Sequence, residues 1–403
     1  MRRYWFGRLE LRRIALIVAL AVLFAACTGE SESTTTVAPT TSTTTTTTTI
    51  PTTTTTLLPV EGAEIDPDLT AMIRALYELP EGADSLPAPQ SVIEGFGAAE
   101  NPTDPTLATA YVGAVEEGPS VAVVEAGDDI TLAVADPEWR VVGGWWPSHQ
   151  VTAELGTFPK TIAVVGSDAR PGEDRDMTRS DSIHFVTLDG EGSAAVVGLP
   201  RDSWVTIPGG GNTKVNAALS LGGTALMMET FTELTGLTFD GFLLTGFAGF
   251  QSMIDVLGGL EIDVPTALND RSAKASISAG LQILQAADAL AFTRVRKALP
   301  NGDFGRQANG GLALIAAASM IKTMGVTAIP GLIARSWDMY STDLGVDELL
   351  MLAAAITMVD PEQAKNVVAA GSSGSAGAAS VVFLSDSAFV TFEDMADGRL
   401  EVD

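Results

Sequence analysis

Three short apolar runs, separated by charged and turn-forming residues, stand in the middle of the chain at Thr161–Val165, Ser182–Leu188 and Ala194–Leu199. Their enrichment in Val, Ile and Phe predicts three strands. The residues Asp189-Gly190-Glu191-Gly192 favour a tight turn, so the second and third strands are expected to form an antiparallel hairpin. The link over residues 166–181 is too polar for a crossover helix. Three antiparallel neighbours would bring the charged ends of these strands to one edge of a sheet.

Downstream, apolar residues recur at helical spacing and are interrupted by short apolar runs. The spacing predicts helices over Asn216–Leu234, Phe247–Leu257, Leu312–Met324 and Val346–Met358, the first two ending at glycines. The short runs predict strands over Phe242–Leu244, Glu261–Val264, Asn366–Ala369 and Ser380–Leu384. Strands that alternate with helices indicate an α/β domain over residues 158–398, with a mixed central sheet between helix layers.

Residues 60–150 have a different pattern. A helix is predicted over Pro67–Leu79, and strands are predicted over Val121–Glu125, Ile130–Ala135 and Trp139–Val142. We interpret this region as a small accessory α+β domain without a catalytic constellation. The aromatic residues in Gly143–Pro147 would anchor it to the domain that follows.

The N-terminal residues 1–27 have the pattern of an export signal. Five arginines precede an apolar run, 14–26, that is shorter than the ~20 residues of a spanning helix. Small residues directly before Cys27 predict a lipoprotein signal in which Cys27 is lipidated. Phe24 departs from the usual pattern, so an uncleaved transmembrane anchor is the alternative. Residues 28–59 are almost all Thr, Ser and Pro, which predicts a disordered tether. Both alternatives place the rest of the chain on the extracytoplasmic face of the cell membrane.

Composition narrows the range of functions. The net charge of −27 argues against a nucleic-acid partner, which demands a basic face. One cysteine precludes an intrachain disulfide, and two histidines argue against an ordinary zinc site. Of the 23 Lys and Arg residues, 12 lie between Lys160 and Arg306. An acidic protein that concentrates its cations beside one sheet edge is expected to bind an anion there, although scattered ion pairs on a solvated surface are the alternative.

Charged side chains at the strand ends suggest a metal and phosphate site. Asp168 and Asp181 are expected to meet at adjacent strand ends, where two carboxylates are the minimum set for a hard cation such as Mg2+. Guanidinium groups bind phosphate in a bidentate manner and keep their charge. The candidates for anion binding are Arg170, Arg179, Arg201, Lys214, Arg294, Arg296 and Arg306. Arg294 and Arg296 would share one side if their segment is extended. This number of arginines, with one lysine, suits a diphosphate better than a single carboxylate.

The order and spacing of several motifs resemble the LytR-CpsA-Psr family of bacterial envelope proteins. The motifs cover about 240 residues and are Gly166-Ser-Asp168-Ala-Arg170, Arg179-Ser-Asp181-Ser182, Pro200-Arg201-Asp202-Ser203, Ile207-Pro-Gly-Gly, Lys214-Val-Asn216-Ala217, Leu257-Gly-Gly-Leu-Glu-Ile-Asp-Val264, Ala289-Leu-Ala291, Arg294-Val-Arg296 and Asp303-Phe-Gly-Arg306. Each motif is weak alone, and together they are specific.

The resemblance implies a phosphotransferase that moves a glycopolymer from a polyprenyl-pyrophosphate carrier to peptidoglycan or a similar acceptor. It implies that Asp168 and Asp181 hold Mg2+ or Mn2+, and that the pyrophosphate is held by Arg179, Arg201, Arg294, Arg296 and Arg306, with Lys214 nearby. The apolar faces of the helices after Asn216 and Phe247 would line a prenyl channel or pack as ordinary core. The base for the acceptor hydroxyl stays open among Asp168, Asp181 and Asp202.

One position departs from the family pattern. Family members usually carry Gln four residues after the arginine of the Asp-Phe-Gly-Arg motif, and this chain has Gly310 there. Two other functions therefore stay open: a non-catalytic envelope protein that binds polyprenyl phosphate or glycan, and a pyrophosphate hydrolase of the lipid carrier.

Overall fold

The computed structural model describes residues 58, 60–62, 65–78, 86–100, 102, 105–170 and 172–401. All of these belong to one contact unit, Thr56–Asp403. The predicted signal, Cys27 and the predicted tether, apart from Leu58, lie outside the described residues. The boundary expected between residues 150 and 158 stays a prediction.

The first sheet has six strands in the order β1-β2-β3-β4-β5-β6, parallel between β1 and β2 and antiparallel elsewhere. The strands are β1 (Val60–Glu61), β2 (Ala108–Ala114), β3 (Ser120–Ala126), β4 (Asp129–Ala135), β5 (Trp139–Trp146) and β6 (Val151–Glu154). Helices α1 (Pro67–Tyr77) and α2 (Gln90–Ala98) share a core with it, in which Trp146 is fully buried. The sequence did not predict α2, because its buried Val92, Ile93 and Phe96 lie in a segment rich in Pro and Gly.

The second sheet is the mixed sheet that the strand pattern predicts, and its strand order is β17-β12-β7-β8-β9-β18. Strands β7 and β8 and strands β8 and β9 are antiparallel, whereas β12 lies parallel to β7, and β18 parallel to β9. Four two-stranded ribbons complete the strands, pairing β10 with β11, β13 with β16, β14 with β15 and β19 with β20. The bounds are β7 (Lys160–Ser167), β8 (Ser180–Leu188), β9 (Ala194–Gly198), β10 (Trp204–Ile207), β11 (Gly211–Lys214), β12 (Gly241–Thr245), β13 (Leu260–Val264), β14 (Leu268–Asp270), β15 (Ala275–Ile277), β16 (Gly280–Leu284), β17 (Ser341–Thr342), β18 (Ala364–Val368), β19 (Gly371–Ala376) and β20 (Ala379–Leu384).

Helices cover both faces of the second sheet. They are α3 (Ala217–Thr235), α4 (Phe247–Leu257), α5 (Ala286–Arg294), α6 (Asp303–Met324), α7 (Ile329–Ser336), α8 (Val346–Met358) and α9 (Asp386–Asp394). One face packs against α3 and α9, with Phe185 contacting Phe231 edge-on at 5.2 Å between ring centroids. The other face packs against α4, α6, α7 and α8. This arrangement is the predicted α/β fold with a sheet between helix layers.

Two predicted helices differ from the observed ones. Helix α3 is broken at Gly222 and Gly223, where Gly223 has φ +67° and ψ −163°, a backbone conformation that residues with a Cβ rarely adopt. Helix α6 begins at Asp303, nine residues before the predicted start. The sequence Asn309-Gly310-Gly311 has the composition of a helix breaker, but here both glycines lie inside the helix, because it approaches the sheet too closely for side chains.

The two sheets share an apolar core. Val121, Val123 and Leu132 of the first sheet pack in one cluster with Ile333 of α7 and Leu350 of α8. The two tryptophans of the predicted aromatic anchor pack in different cores. Trp146 is buried in the core between the first sheet and helices α1 and α2, and Trp145 packs against the core that the two sheets share. Within the described residues no single helix has both the length and the hydropathy needed to cross a bilayer. Helix α6 and the segment Val326–Met339 have sufficient length and hydropathy only when taken together, and they meet at a bend of 98°.

Candidate active site

A β-bulge directs Asp181 out of the second sheet. The register runs from Gly166 opposite Ser182 to Ser167 opposite Ser180, so Asp181 is the additional residue on β8. A bulge interrupts pairing and changes the direction of a side chain. Asp168, which directly follows β7, is held at the same end because its backbone N–H donates to Arg179 O at 3.0 Å and its Oδ1 accepts from Arg179 N–H at 3.1 Å. The predicted convergence of the two strand ends is confirmed.

Asp181 forms an ion pair with Arg201, which follows strand β9. Burial opposes the charge of Arg201, but the neighbouring carboxylate of Asp181, followed by Asp303 and Asp202, raises the pKa of Arg201 above its usual value. Asp181 Oδ1 and Arg201 Nε are both buried and find no hydrogen-bond partner among the described residues. Buried polar atoms are rarely left unpaired, so this pair has free capacity for a ligand.

A second group of charges surrounds Asp202. Its Oδ1 accepts a hydrogen bond from Lys214 Nζ at 2.7 Å, and its Oδ2 lies 3.6 Å from Arg296 Nη2. The backbone of Arg296 is fixed by Asp270, whose Oδ2 accepts from the N–H groups of Arg296 at 3.3 Å and Lys297 at 3.1 Å. A hydrogen bond from Ser272, together with these backbone donors, holds the pKa of Asp270 well below its usual range. The carboxylate of Asp270 therefore stays charged and holds the backbone of Arg296 in position.

The first turn of α6 adds Asp303 and Arg306, which lie on one helical face three residues apart. Asp303 Oδ1 lies 2.7 Å from Arg306 Nη2 and 3.8 Å from Arg296 Nε. Burial lowers the pKa of Arg306 despite Asp303, and the nearby positive charges of Arg201 and Arg296 lower it further. Three guanidinium groups thus meet at one place. Their mutual repulsion favours binding of an anion.

Three predicted anion-binding residues lie outside the cluster of Arg201, Arg296 and Arg306. Arg294 is the last residue of α5, so the extended segment in which Arg294 and Arg296 would share one side does not form. Its guanidinium lies over the ring of Phe247, 4.5 Å from the centroid. Arg170 and Arg179 have exposed side chains, and within the described residues neither forms an ion pair. Both stand beside the Asp168 end of the site.

The carboxylates fit a hard cation bound together with a phosphate. No cluster of three His, Cys, Asp or Glu residues suited to a metal occurs in the part of the chain that the structure describes. Mg2+ commonly uses one or two carboxylates and completes its shell with water and substrate phosphate. Asp181 Oδ1, which accepts no hydrogen bond from the described residues, and the half-buried Asp168 have the donor chemistry for this arrangement.

The position of His184 explains why residue 310 is a glycine. A Cβ on Gly310 would lie 2.4 Å from His184 Cε1, so the imidazole occupies the space that a side chain at position 310 would need. His184 is 2% exposed, and its Nε2–H donates to Gln307 O at 2.8 Å, which ties β8 to α6. Burial lowers the pKa of His184 to about 4, so the ring is neutral at physiological pH. The packing role predicted for His184 agrees with these contacts.

On the α4–α8 side of the second sheet, incompletely covered apolar residues indicate an apolar recess. Val164, Val186 and Leu243 are central strand residues, yet they are only half-buried. Their neighbours on the opposite face, Ala163 and Phe185, are 0% exposed. The helix layer on the recess side therefore does not seal against β7, β8 and β12. Apolar residues of α4 and α6 that are also half-buried are Phe247, Phe250, Leu312 and Ile315.

For the helix after Asn216 the sequence left a prenyl channel and ordinary core as alternatives, and the structure confirms ordinary core. The apolar face of α3 is closed core, in which Met227 and Phe231 are 0% exposed. Only the second predicted helix, α4, borders the recess. The sequence also missed the site role of Asp303. The Asp-Phe-Gly-Arg motif contains both Asp303 and Arg306, but the helix that brings their side chains together was predicted to start only at Leu312.

The fold and the converging charges define an α/β protein with a candidate anion site where strands β7, β8 and β9 end. The family model for the LytR_cpsA_psr family matches residues 143–395, which is more than half of the chain. The chain belongs to the LytR-CpsA-Psr family.

Individual relatives match over a shorter part. The probable cell wall biosynthesis protein LcpB of Corynebacterium glutamicum is 35% identical over 172 residues, covering 40% of this chain and 41% of LcpB. The polyisoprenyl-teichoic acid–peptidoglycan teichoic acid transferase TagU of Bacillus licheniformis is 32% identical over 151 residues, covering 37% and 48%. The chain thus spans less than half the length of these curated relatives.

Solved structures share the fold. The crystal structure of B. subtilis TagV superposes with a TM-score of 0.52 at 25% identity, covering 61% of this chain and 100% of TagV. The structure of TagT bound to LI-WTA gives a TM-score of 0.51 at 22% identity, with 61% and 92% covered.

Proposed function

We propose that the chain transfers a glycopolymer phosphate from a polyprenyl-pyrophosphate carrier to peptidoglycan or a similar cell-wall acceptor, with Mg2+ at the site. The observation that carries this proposal is the pair of buried guanidiniums, Arg201 and Arg306, whose Nε atoms find no hydrogen-bond partner among the described residues. Such donors beside a free carboxylate oxygen suit a ligand that presents several anionic oxygens together with a cation. The names of TagU and LcpB support the same class of reaction.

A pyrophosphate fits the charge pattern better than a single phosphate. Arg201 and Arg306 are half- to fully buried, and Arg296 stands at the rim with a side chain that is 46% exposed. Each guanidinium is paired with a carboxylate, so the bound donor would exchange Asp contacts for phosphate contacts. In phosphoryl transfer, positioning and electrostatic stabilisation supply most of the catalysis, and this cluster supplies both.

The reaction balances without a redox partner. The acceptor hydroxyl oxygen attacks the phosphorus attached to the glycan, the bond to the bridging oxygen of the pyrophosphate breaks, and polyprenyl phosphate leaves. The hydroxyl proton passes to a carboxylate. We assign this role to Asp303. Both oxygens of Asp202 face a cation, Lys214 or Arg296, whereas Asp303 faces cations only through Oδ1 and its Oδ2 has no partner within the described residues. When bound at Asp168 and Asp181, Mg2+ would neutralise charge on the phosphates.

The apolar recess would hold part of the carrier tail. Half-buried Val164, Val186 and Leu243 give up contact with water when an isoprenoid chain covers them, at about 25 cal/mol per Å2 of apolar surface. Lipidation of Cys27, or an uncleaved N-terminal anchor, would keep the chain at the extracytoplasmic face where this carrier is presented. Loss of label from radioactive palmitate in a Cys27→Ala variant would distinguish the lipid from the anchor.

The test is incubation of the protein with a polyprenyl-pyrophosphate glycan, Mg2+ and peptidoglycan. We expect glycan attached to peptidoglycan, and we expect Asp181→Ala to abolish the product. The control Arg399→Ala, which removes an ion pair with Asp189 at the other end of β8, should not. Free glycan phosphate formed in place of that product would instead indicate a pyrophosphate hydrolase. Donor binding without turnover, unaffected by Asp181→Ala, would indicate a non-catalytic binding protein.

A further inference from the structure

A polar cleft of about 400 Å3 opens beside the arginine cluster. One wall is the start of α6 with the loop before it, and the other is the β19–β20 ribbon. Asp202, Arg296 and Asp303 form the end that borders the candidate active site. The remaining lining residues include Asn301, Phe304, Ser373, Ser380 and Val382. The volume lies within the range of small-molecule binding pockets, which is about 300–1,000 Å3.

The ribbon wall is attached directly to the charged site. Val382 N–H donates to Asp202 O at 2.9 Å, and Val382 also forms a parallel bridge with Ser203. Ser373 lies opposite Val382, and Ser375 opposite Ser380, so these side chains share one face of the ribbon. The hydroxyls of Ser373 and Ser380 are exposed towards the cleft, and neither forms a side-chain hydrogen bond within the described residues.

The end of the cleft carries a carboxylate that is ion-paired through Oδ1 and has a free Oδ2. Asp303 is 6% exposed, and neither of its oxygens accepts a hydrogen bond of normal geometry from the described residues, although Arg306 Nη2 lies 2.7 Å from Oδ1. A buried carboxylate with free acceptor capacity calls for a donor such as a hydroxyl group. The same carboxylate, together with Asp202, disfavours a further phosphate in the cleft.

We propose that this cleft binds one pyranose unit of the acceptor glycan, with its reactive hydroxyl directed at Asp303. This deepens the proposed transferase function and rests on it. A sugar ring has an apolar C–H face, which suits the half-buried ring of Phe304, and a rim of hydroxyls, which suits Ser373, Ser380 and Asn301. The donor occupies the arginine side, so the carboxylate side is the side from which a hydroxyl can attack.

The experiment uses the full chain and two ligands. The first is a tetrasaccharide of alternating N-acetylglucosamine and N-acetylmuramic acid, whose dissociation constant is measured by NMR saturation transfer. The second is the polyprenyl-pyrophosphate glycan, measured for binding and for transfer. Ser380→Phe fills the cleft, and Ser372→Phe places the same ring on the opposite, exposed face of the ribbon. Asn301→Ala in the exposed loop is a second cleft variant that introduces no bulk.

We expect Ser380→Phe to raise the tetrasaccharide dissociation constant and the acceptor KM by about tenfold, and Asn301→Ala to raise both by about threefold, while donor affinity is retained. Ser372→Phe should leave all of these values within about twofold of wild type. Weaker donor binding with unchanged tetrasaccharide binding would overturn the proposal, because the cleft would then hold donor glycan. Unchanged values in both cleft variants, or no tetrasaccharide binding to wild type, would also overturn it.

The experiment tests the transferase function and the glycan subsite separately. If wild type does not turn the donor over, the transferase function fails. Tetrasaccharide binding that is weakened by Ser380→Phe and Asn301→Ala but not by Ser372→Phe would still support the glycan subsite.

Discussion

Protonation of His184 should destabilise the fold as the pH falls. The ring is buried between β8 and α6, and burial lowers its pKa from 6.5 to about 4. The unfolded chain therefore binds a proton near pH 6.5, whereas the folded protein resists binding it until about pH 4. Because the unfolded state holds more protons in this window, the stability from the neutral imidazole is complete above pH 6.5 and is lost as the pH falls towards 4.

The magnitude follows from the two pKa values. Between about pH 7.5 and about pH 5, a shift from 6.5 to about 4 changes the free energy of unfolding by about 2 kcal/mol. This is a large share of the ~5–15 kcal/mol that stabilises a typical domain.

Urea unfolding at both pH values, on wild type and on His184→Gln, measures the effect. Glutamine keeps an N–H donor but does not titrate, and both proteins retain His149 and all carboxylates, so the difference isolates His184. We expect wild type to lose about 2 kcal/mol more than the variant on acidification. Equal losses in the two proteins would refute the view that His184 is held neutral by burial.

Three further predictions address neighbouring features. Gly310→Gln should lower the free energy of urea unfolding by about 1–3 kcal/mol, because the new Cβ meets the imidazole of His184. Adding His184→Gly should recover most of this loss, and no recovery would contradict the contact. Leu243→Trp should raise KM for a long-chain donor by about tenfold, but not for a short-chain donor, because the ring fills the recess; equal effects would contradict tail binding. Dialysis against EDTA should abolish transfer and added Mg2+ should restore it, whereas undiminished transfer would exclude a required metal.

The strand pattern predicted the central part of the fold because local chemistry determines it. The alternation of Val and Ile, together with the turn at residues 189–192, specifies β7, β8 and β9 without help from distant contacts. Helices α4 and α8 were predicted at their observed bounds for the same reason, since their apolar spacing and flanking residues agree.

The site could be predicted only in part. Asp181, Arg201 and Lys214 lie at or near strand ends, and their convergence follows from strand pairing. The positions of Arg294 and Arg296 depend on where α5 stops and on the hydrogen bonds from Asp270, which are long-range contacts. The start of α6 was missed because Gly310 and Gly311 have helix-breaking composition, whereas close approach to His184 and Asn366 requires them.

The bond that breaks in the donor tests the central claim most directly. Transfer is run in water enriched in 18O with a polyprenyl-pyrophosphate glycan and peptidoglycan, and the lipid and polymer products are analysed by mass spectrometry. A phosphotransferase built from Asp181, Arg201 and Arg306 releases polyprenyl monophosphate without 18O and leaves one phosphate between glycan and peptidoglycan. Release of polyprenyl pyrophosphate, with glycan joined to peptidoglycan without phosphate, would contradict phosphoryl transfer at this site.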